Sequence, residues 1–276
     1  MKTFRMIGIA LFAVLMCVNF ASCGNDDGEI PSDPTGDSPT NQPTNEKKLV
    51  QVMIYDDEEA LEEIIEFEYD ENGNIVKVNE RHNNKEYGWN VETFYYTWNS
   101  NKTITFKFNE DDEEFYEYIL ADGRITKMFY YFSAEKKHDE HTYFTYNKEG
   151  YITNFGGSSE GEIESFIWEN SKLISVGSTD FIYTNQTCSG FFPLIYNYLE
   201  IIGKEDYIFM AQPELIGTKT NNLPKMIVDN GYTDGSSDTY TFEYELDQDK
   251  YITSCTIKEQ SHSYNNKEYY YEFVWE

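Results

Sequence analysis

Basic residues are few in this 276-residue chain. It has 21 Lys and Arg against 50 Asp and Glu, which gives a formal net charge of −29 at pH 7. A surface of that sign repels nucleic-acid phosphates and the anionic face of a membrane. The composition therefore excludes nucleic acid as a partner.

Enzyme motifs are also scarce. The sequence contains no H-E-x-x-H pair and no glycine-rich phosphate loop that opens a helix. Carboxylate pairs for glycoside hydrolysis can be drawn in many ways from 50 acids, so no particular pair is favoured. We expect a non-enzymatic protein and keep a carboxylate-based hydrolase as the third alternative.

Cysteine is rare, with four residues in the chain, and the first two fall in an N-terminal targeting segment. Lys2 and Arg5 precede the apolar run from Ile7 to Phe20, which is typical of a secretory signal peptide and short for a bilayer span. The run ends in FASC, which resembles the bacterial lipobox. The resemblance implies removal of residues 1–22 and lipidation of Cys23, whose acyl chains would anchor the protein in a membrane.

The acidic residues GNDDGE that follow Cys23 resemble the export tether of Bacteroidetes lipoproteins. This resemblance implies an outer-membrane location, with the protein on the cell surface or facing the periplasm. Cys188 and Cys255 are the other two cysteines. In an oxidising compartment they could form a disulfide, and two buried free thiols are the alternative.

Proline is sparse as well, and its distribution marks a linker. Four of the seven prolines lie between residues 24 and 48, among Ser, Thr, Asn and Asp. Such a segment buries too little apolar surface to fold, so residues 23–48 are predicted to be a disordered tether. The other three prolines lie between residues 193 and 224, outside the repeats described next. Residues 49–276 are predicted to form a single β domain.

A short pattern recurs through that domain: aromatic, any residue, aromatic, a polar turn, then Ile. It begins at FEYDENGNIVKV (Phe67), YEYILADGRITKM (Tyr116), FTYNKEGYITNF (Phe144), FIWENSKLISVG (Phe166) and FEYELDQDKYITSC (Phe242). Side chains of alternating polarity indicate half-buried antiparallel strands. Each repeat is therefore predicted to be a β-hairpin with buried rings and solvated acids, and Gly73, Gly123 and Gly150 supply positive φ in the turns.

The predicted fold is all-β with one short helix, an antiparallel hairpin meander that forms a strongly curled sheet or a closed barrel. The helix is placed at 193–203, where PLIYNYLEIIG gives an apolar stripe between Pro193 and Gly203. A buried strand is the alternative there. Most strand-like runs are shorter than a membrane-spanning strand needs, and the buried face is rich in Tyr, so we expect a soluble barrel.

The lipobox, the acidic linker, the hairpin repeats and the late stretch from Asn222 to Glu259 resemble a Bacteroidetes surface lipoprotein family of unknown function with a porin-like fold. The YDENGNIVKV stretch also resembles YD or Rhs repeats, whose strands wrap into a shell. Both resemblances imply a hairpin scaffold, because the shared motifs encode turns and strands. They name no reaction.

Candidate ligand sites are few. His138 and His141, in HDEH, could share a metal only if a turn brings them together, since residues three apart on a strand face opposite sides. His82 and His262 have no partner that spacing assigns. The acidic stretches Asn109–Glu114 and Asp229–Asp238 could bind calcium, although acidic hairpin loops are the favoured interpretation. We expect no resident cofactor.

Aromatic residues are the one abundant feature, with 24 Tyr, 19 Phe and 4 Trp. Most fall on the predicted core face, and Tyr87, Trp89, Tyr232 and Tyr264 fall in loop-like surroundings. We predict a non-enzymatic, cell-surface lipoprotein that binds an extracellular glycan or peptide through such loops. A structural or accessory subunit of an outer-membrane complex is the alternative.

Overall fold

A computed structural model describes residues 46–276 except for 57, 85–86, 133–137, 158–162 and 200–206. The predicted signal peptide 1–22, the lipidation site Cys23 and the predicted linker up to residue 45 lie outside the described residues. The described chain enters its first strand at Leu49.

Sixteen strands follow one another along the chain, and each pairs antiparallel with its neighbours. β16 pairs back with β1, so the sheet closes into a barrel, as one of the two predicted forms required. The strands are β1 Leu49–Tyr55, β2 Leu61–Tyr69, β3 Ile75–Asn84, β4 Gly88–Asn99, β5 Thr103–Lys107, β6 Phe115–Ala121, β7 Arg124–Tyr131, β8 His138–Tyr146, β9 Ile152–Gly157, β10 Glu164–Glu169, β11 Lys172–Val176, β12 Thr179–Thr187, β13 Asn222–Asp229, β14 Asp238–Leu246, β15 Ile252–Gln260 and β16 Lys267–Trp275.

The turns alternate between the two ends of the barrel because successive strands run in opposite directions. We call proximal the end where β1 begins and β16 ends, and distal the opposite end. The turns β2–β3, β6–β7, β8–β9, β10–β11 and β14–β15 are proximal, and these are the five predicted hairpins. Gly73 and Gly150 in two of these turns have φ of 87°, and Gly123 has 76°, as predicted.

Successive side chains of each strand point to opposite faces of the sheet, so the aromatic rings of the repeats face the interior and the acidic side chains face solvent. Phe67 and Phe242 are 5 % and 6 % exposed and belong to the core, whereas Glu68 and Glu243 on the opposite face are exposed. Every even-numbered strand contributes at least one buried aromatic ring to the interior, and on each strand one such ring precedes a Tyr, Trp or Leu by two residues. These rings are Phe67, Tyr96, Tyr118, Phe144, Phe166, Phe181, Phe242 and Phe273.

The second aromatic of the repeat has a separate role. On seven of the eight even-numbered strands, a Tyr or Trp two residues after the buried ring donates a hydrogen bond to a backbone carbonyl near the start of the preceding strand. We call these bonds clasps. The pairs are Tyr69–Leu49, Trp98–Ile75, Tyr146–Ile125, Trp168–Ile152, Tyr183–Leu173, Tyr244–Pro224 and Trp275–Ile252.

Each clasp lies at the proximal end, where the two strands of a distal-turn hairpin would otherwise separate. The donor rings pack against the core while their polar tips reach the carbonyls. A buried carbonyl without a partner costs about 1–3 kcal/mol, so each clasp keeps one backbone group satisfied where the strands part. β6 has Leu120 at the equivalent position and carries no such donor.

The connection between β12 and β13 fills the barrel. A barrel of 16 strands is too wide for its wall side chains alone to fill. Described residues 188–199 and 207–221, which we call the plug, supply the missing interior. Phe192 packs edge-on against Phe242 of β14 at 5.7 Å, and Phe209 packs edge-on against Tyr118 of β6 at 5.9 Å.

The plug crosses the whole lumen, because β6 and β14 are eight strands apart in a ring of sixteen. It is also tied to the wall by polar contacts. Gln212 accepts a hydrogen bond from the Ile75 N–H at 3.2 Å and donates to the Gly73 carbonyl at 3.3 Å. The Ile152 N–H donates to the Gly217 carbonyl at 3.3 Å.

The helix predicted at 193–203 differs from the structure. Pro193–Tyr198 forms a 3₁₀ helix, and residues 200–203 lie outside the described part. The plug's α-helix, α1, is Ile208–Ala211, followed by a 3₁₀ helix at Pro213–Ile216; a further 3₁₀ turn, Ser100–Lys102, joins β4 to β5. The pattern was misleading because the barrel wall surrounds the plug. Apolar side chains of the plug can be buried in any direction, so they need not lie on one face of a helix.

The outer wall carries charged pairs. Lys77 pairs with Glu68 at 2.9 Å, and Lys258 pairs with Glu243 at 2.7 Å, all on outward positions. A transmembrane barrel has the reverse arrangement, with apolar residues outward and polar residues in the lumen. Among the helices of the described residues, none has the length and hydropathy to span a bilayer.

Candidate functional site

Exposed apolar side chains concentrate at the distal end. Of the ten large hydrophobic side chains that are exposed in the described residues, six lie in or beside distal turns. They are Tyr87, Trp89, Val91, Phe132, Ile163 and Tyr264. Exposed rings next to polar loops are typical of binding surfaces, so this end is the candidate site.

The β3–β4 hairpin presents Tyr87 and Trp89, two of the predicted loop aromatics. Tyr87 is 80 % exposed and Trp89 is 45 % exposed. Asn84 holds the turn by accepting the Tyr87 N–H through its side chain and its carbonyl, both at 3.2 Å. The Asn84 side chain is therefore hydrogen-bonded to the backbone of the turn, and the Tyr87 and Trp89 rings remain exposed to solvent.

Tyr232 and Tyr264, the other predicted aromatics, lie on neighbouring distal turns that Asp238 joins. The Tyr232 hydroxyl donates to one oxygen of Asp238 at 2.6 Å, and the backbone N–H of His262 donates to the other oxygen at 2.6 Å. The His262 ring lies 5.6 Å from the Tyr232 ring, and its Nε2 is 3.2 Å from Asp234. Tyr264 is 77 % exposed, whereas Tyr232 is half-buried.

Electrostatics fix the protonation states in this cluster. The hydrogen bond to Asp238 raises the pKa of Tyr232 to about 12. The same bond is the main reason that the pKa of Asp238 is lowered, and the Ser236 hydroxyl lowers the pKa of Asp234. Asp238 is therefore a carboxylate and Tyr232 a neutral donor at neutral pH. Sequence reasoning gave His262 no partner and placed Asp234 and Asp238 only within the acidic stretch Asp229–Asp238, because the link between these residues crosses two separate turns.

A shallow cavity of about 770 Å³ opens beside Tyr232. Its lining comes from three distal connections and includes Ile163, Glu164, Ser178, Asp229 and Tyr232. Asp229 accepts hydrogen bonds from the Ser178 hydroxyl at 3.2 Å and the Gly231 N–H at 2.9 Å. The cavity combines an apolar side chain, an aromatic ring and two carboxylates, a mixture suited to a polar organic ligand.

The predicted metal sites receive no geometric support in the described residues, where no cluster of three or more His, Cys, Asp or Glu is placed to hold an ion. His138 and His141 belong to strand β8, so the turn that would bring them together is replaced by a strand. In the predicted calcium stretches, Asp112 accepts from the Asn109 N–H at 2.8 Å, and Asp229 and Asp238 are bonded as described. Calcium binding remains a prediction.

Cys188 and Cys255 are free thiols in the structure, which agrees with the alternative to a disulfide. Cys188 is 5 % exposed and Cys255 is fully buried. Burial raises the pKa of Cys188 to about 12 and raises that of Cys255 further. Both thiols are therefore uncharged and shielded at neutral pH.

Comparison with known proteins bears on the fold. No protein-family model and no curated protein matches the chain. A porin-like protein from Bacteroides uniformis matches with a TM-score of 0.62 at 14 % identity, over 85 % of this chain and 99 % of that one. A porin-like protein from Bacteroides vulgatus matches with a TM-score of 0.53 at 12 % identity, over 83 % and 99 %. The chain is thus similar in fold to porin-like proteins of Bacteroides.

Proposed function

We propose that the chain is a lipid-anchored, non-enzymatic outer-membrane protein that binds an extracellular glycan or peptide at its distal end. The observation that carries the proposal is the separation of the two ends. The chain enters the barrel at the proximal end, and the exposed rings lie at the distal end. Because Cys23 precedes β1 in the chain, an anchor there would be connected to the barrel through its proximal end.

Two further features support binding over transport. The plug fills the lumen with buried apolar side chains, so the interior resembles a protein core. The distal turns carry the Tyr87 and Trp89 pair and the Tyr232–Asp238–His262 cluster, which combine flat apolar surfaces with fixed hydrogen-bonding groups. Aromatic residues of this kind dominate the energetics of many binding surfaces. The porin-like fold relatives from Bacteroides agree with an envelope location.

The anchor is tested by metabolic labelling with an alkyne-bearing fatty acid in a bacterial host that processes lipoproteins. The wild-type chain and Cys17→Ser are expected to carry the label and to fractionate with membranes. Cys23→Ser is expected to lose both properties. Equal labelling of Cys23→Ser would remove the lipid anchor from the proposal.

Ligand binding is tested on the purified chain with arrays of glycans and peptides, followed by isothermal titration of each hit. The double variant Tyr87→Ala/Trp89→Ala is expected to weaken binding by about tenfold or more, since buried aromatic anchors are worth ~2 kcal/mol or above. The matched control Ile167→Ala/Ile182→Ala removes two exposed side chains from the wall and is expected to bind normally. Absence of any hit, or equal losses in both variants, would contradict a distal binding site.

A further inference from the structure

A row of five aromatic rings runs across the outside of the barrel on β6, β7 and β8. We call it the ring row: Phe115, Phe129, Tyr131, His141 and Tyr143. Their outward direction follows from alternation, since Tyr118, Met128 and Phe144 on the same strands pack into the core. Tyr131 is only 7 % exposed, yet it does not belong to the core cluster.

Successive rings of the row touch. Phe115 stacks on Tyr131 with centroids 4.7 Å apart and planes inclined by 20°. Phe129 lies 6.3 Å from Tyr131 and 5.8 Å from His141, and His141 lies 4.9 Å from Tyr143. The row ends at Tyr143, which is 40 % exposed. These contacts join five rings into one continuous aromatic surface on the outer wall.

One cation already occupies a face of the row. The Lys127 ammonium lies 5.3 Å from the centre of the Tyr143 ring. Ring faces are negative, and a cation above one is attracted electrostatically. The row is thus chemically suited to positive groups as well as apolar ones.

The turn beside the row is strongly acidic. Residues 110–114, between β5 and β6, are five consecutive acids, and Glu110, Asp111 and Glu113 are exposed. A groove of about 530 Å³ lies beside this turn on the β5 side of Phe115, and its lining includes Lys107, Asp111, Glu113, Phe115 and Glu117. Asp112 and Glu114 are committed to hydrogen bonds with Asn109 and Tyr130. Negative charge therefore borders the rings along one side.

We propose that the ring row and the acidic turn form a binding surface for a basic segment of a partner protein. Guanidinium groups stack on aromatic faces and pair with carboxylates, and this surface offers both side by side, because Phe115 belongs to the ring row and also lines the acidic groove. The net charge of −29 attracts a basic partner, and it repels a second copy of this chain. The acidic turn is itself distal, but the ring row lies on the outer wall and contains none of the exposed distal side chains described above, so the proposal goes beyond the function proposed above.

The test uses a fluorescent peptide with four arginines spaced by Gly-Ser, and a counterpart with glutamine in place of each arginine. Dissociation constants are measured by anisotropy on the purified full chain at several salt concentrations. The arginine peptide is expected to bind, and the glutamine peptide to bind at least tenfold more weakly. Tyr143→Ala and Tyr143→Leu are both expected to weaken binding by roughly two- to fivefold, the size of a cation–π contact.

Site specificity is tested by two triple variants of equal charge change. Glu110→Gln/Asp111→Asn/Glu113→Gln neutralises the acidic turn and leaves the Asp112 turn bonds intact. The matched control, Glu71→Gln/Asp122→Asn/Glu149→Gln, neutralises three exposed acids in proximal turns. The first triple is expected to weaken the arginine peptide at least threefold more than the control does.

Three results would overturn the proposal. One is equal binding of the two peptides. Another is an equal loss in both triple variants, which would assign binding to the general field of the chain. The last is unchanged binding in Tyr143→Ala, when circular dichroism shows that the variant is folded.

Discussion

Replacing Tyr69 with Phe removes one clasp and almost nothing else. The Tyr69 hydroxyl donates to the Leu49 carbonyl at 2.6 Å, and Leu49 is fully buried. The ring stays in the variant, so packing is kept while a buried carbonyl loses its donor. A buried group left unsatisfied costs about 1–3 kcal/mol, and we expect Tyr69→Phe to lower the free energy of unfolding by about 1–2 kcal/mol.

The assay is thermal and denaturant unfolding followed by circular dichroism. For a domain of this size, ~1 kcal/mol shifts Tm by about 2–4 °C, so the expected decrease is about 2–8 °C. Tyr87→Phe is the matched control, because its ring is 80 % exposed and its loss of a hydroxyl should change stability by less than ~0.5 kcal/mol.

A second clasp tests whether the bonds act independently. Tyr183 donates to the Leu173 carbonyl at 2.9 Å on β12, six strands from β2 around the barrel. Losses at distant sites add within ~0.5 kcal/mol, so Tyr69→Phe/Tyr183→Phe should lose the sum of the single losses. If Tyr69→Phe unfolds at the wild-type temperature, the clasps do not stabilise the barrel and the reasoning is refuted.

Three other predictions concern the plug, the tyrosines and the thiols. Phe192→Ala empties the centre of the plug and should lower the free energy of unfolding by about 3–5 kcal/mol in denaturant titration; a loss below ~1 kcal/mol would contradict a filled lumen. Burial raises the pKa of the clasp tyrosines Tyr146 and Tyr183, so their stabilisation is complete below pH ~10 and is lost as the pH rises above it. Ultraviolet titration should therefore show exposed tyrosines such as Tyr87 ionising in the folded barrel and the remaining tyrosines ionising together with unfolding, and ionisation of every tyrosine in a folded barrel would oppose this. Cys188 and Cys255 should resist a thiol reagent until denaturant is added, because both are buried and their pKa values are raised; rapid labelling of the folded chain would argue against that burial.

Local pattern was sufficient for the hairpins. The alternation in FEYDENGNIVKV determines which side of β2 and β3 is buried, and Gly73 marks the turn. The hairpin can therefore be predicted from one short stretch of sequence. Closure of the barrel has no such signal. β1 and β16 are joined by contacts between residues more than 200 positions apart, and neither strand differs in sequence from an edge strand.

The outward rings and the plug show where the period-two rule fails. That rule assigned the aromatics to the core, but MFYYF at 128–132 has four consecutive rings, and alternation must send some of them outward. The sequence signal for the ring row was present in this run. PLIYNYLEIIG fits a helix or a strand equally, and only the wall around it decides its conformation.

The clasps give this architecture a unit of growth. Seven of the eight distal-turn hairpins close their own open end with a clasp from their own ring, and their neighbours supply only the ladder on either side. A gene that duplicated or deleted one such pair of strands would encode a ring of fourteen or eighteen whose termini still meet at the same rim. Because the circumference changes with each such step, the length of the β12–β13 connection would have to change with it.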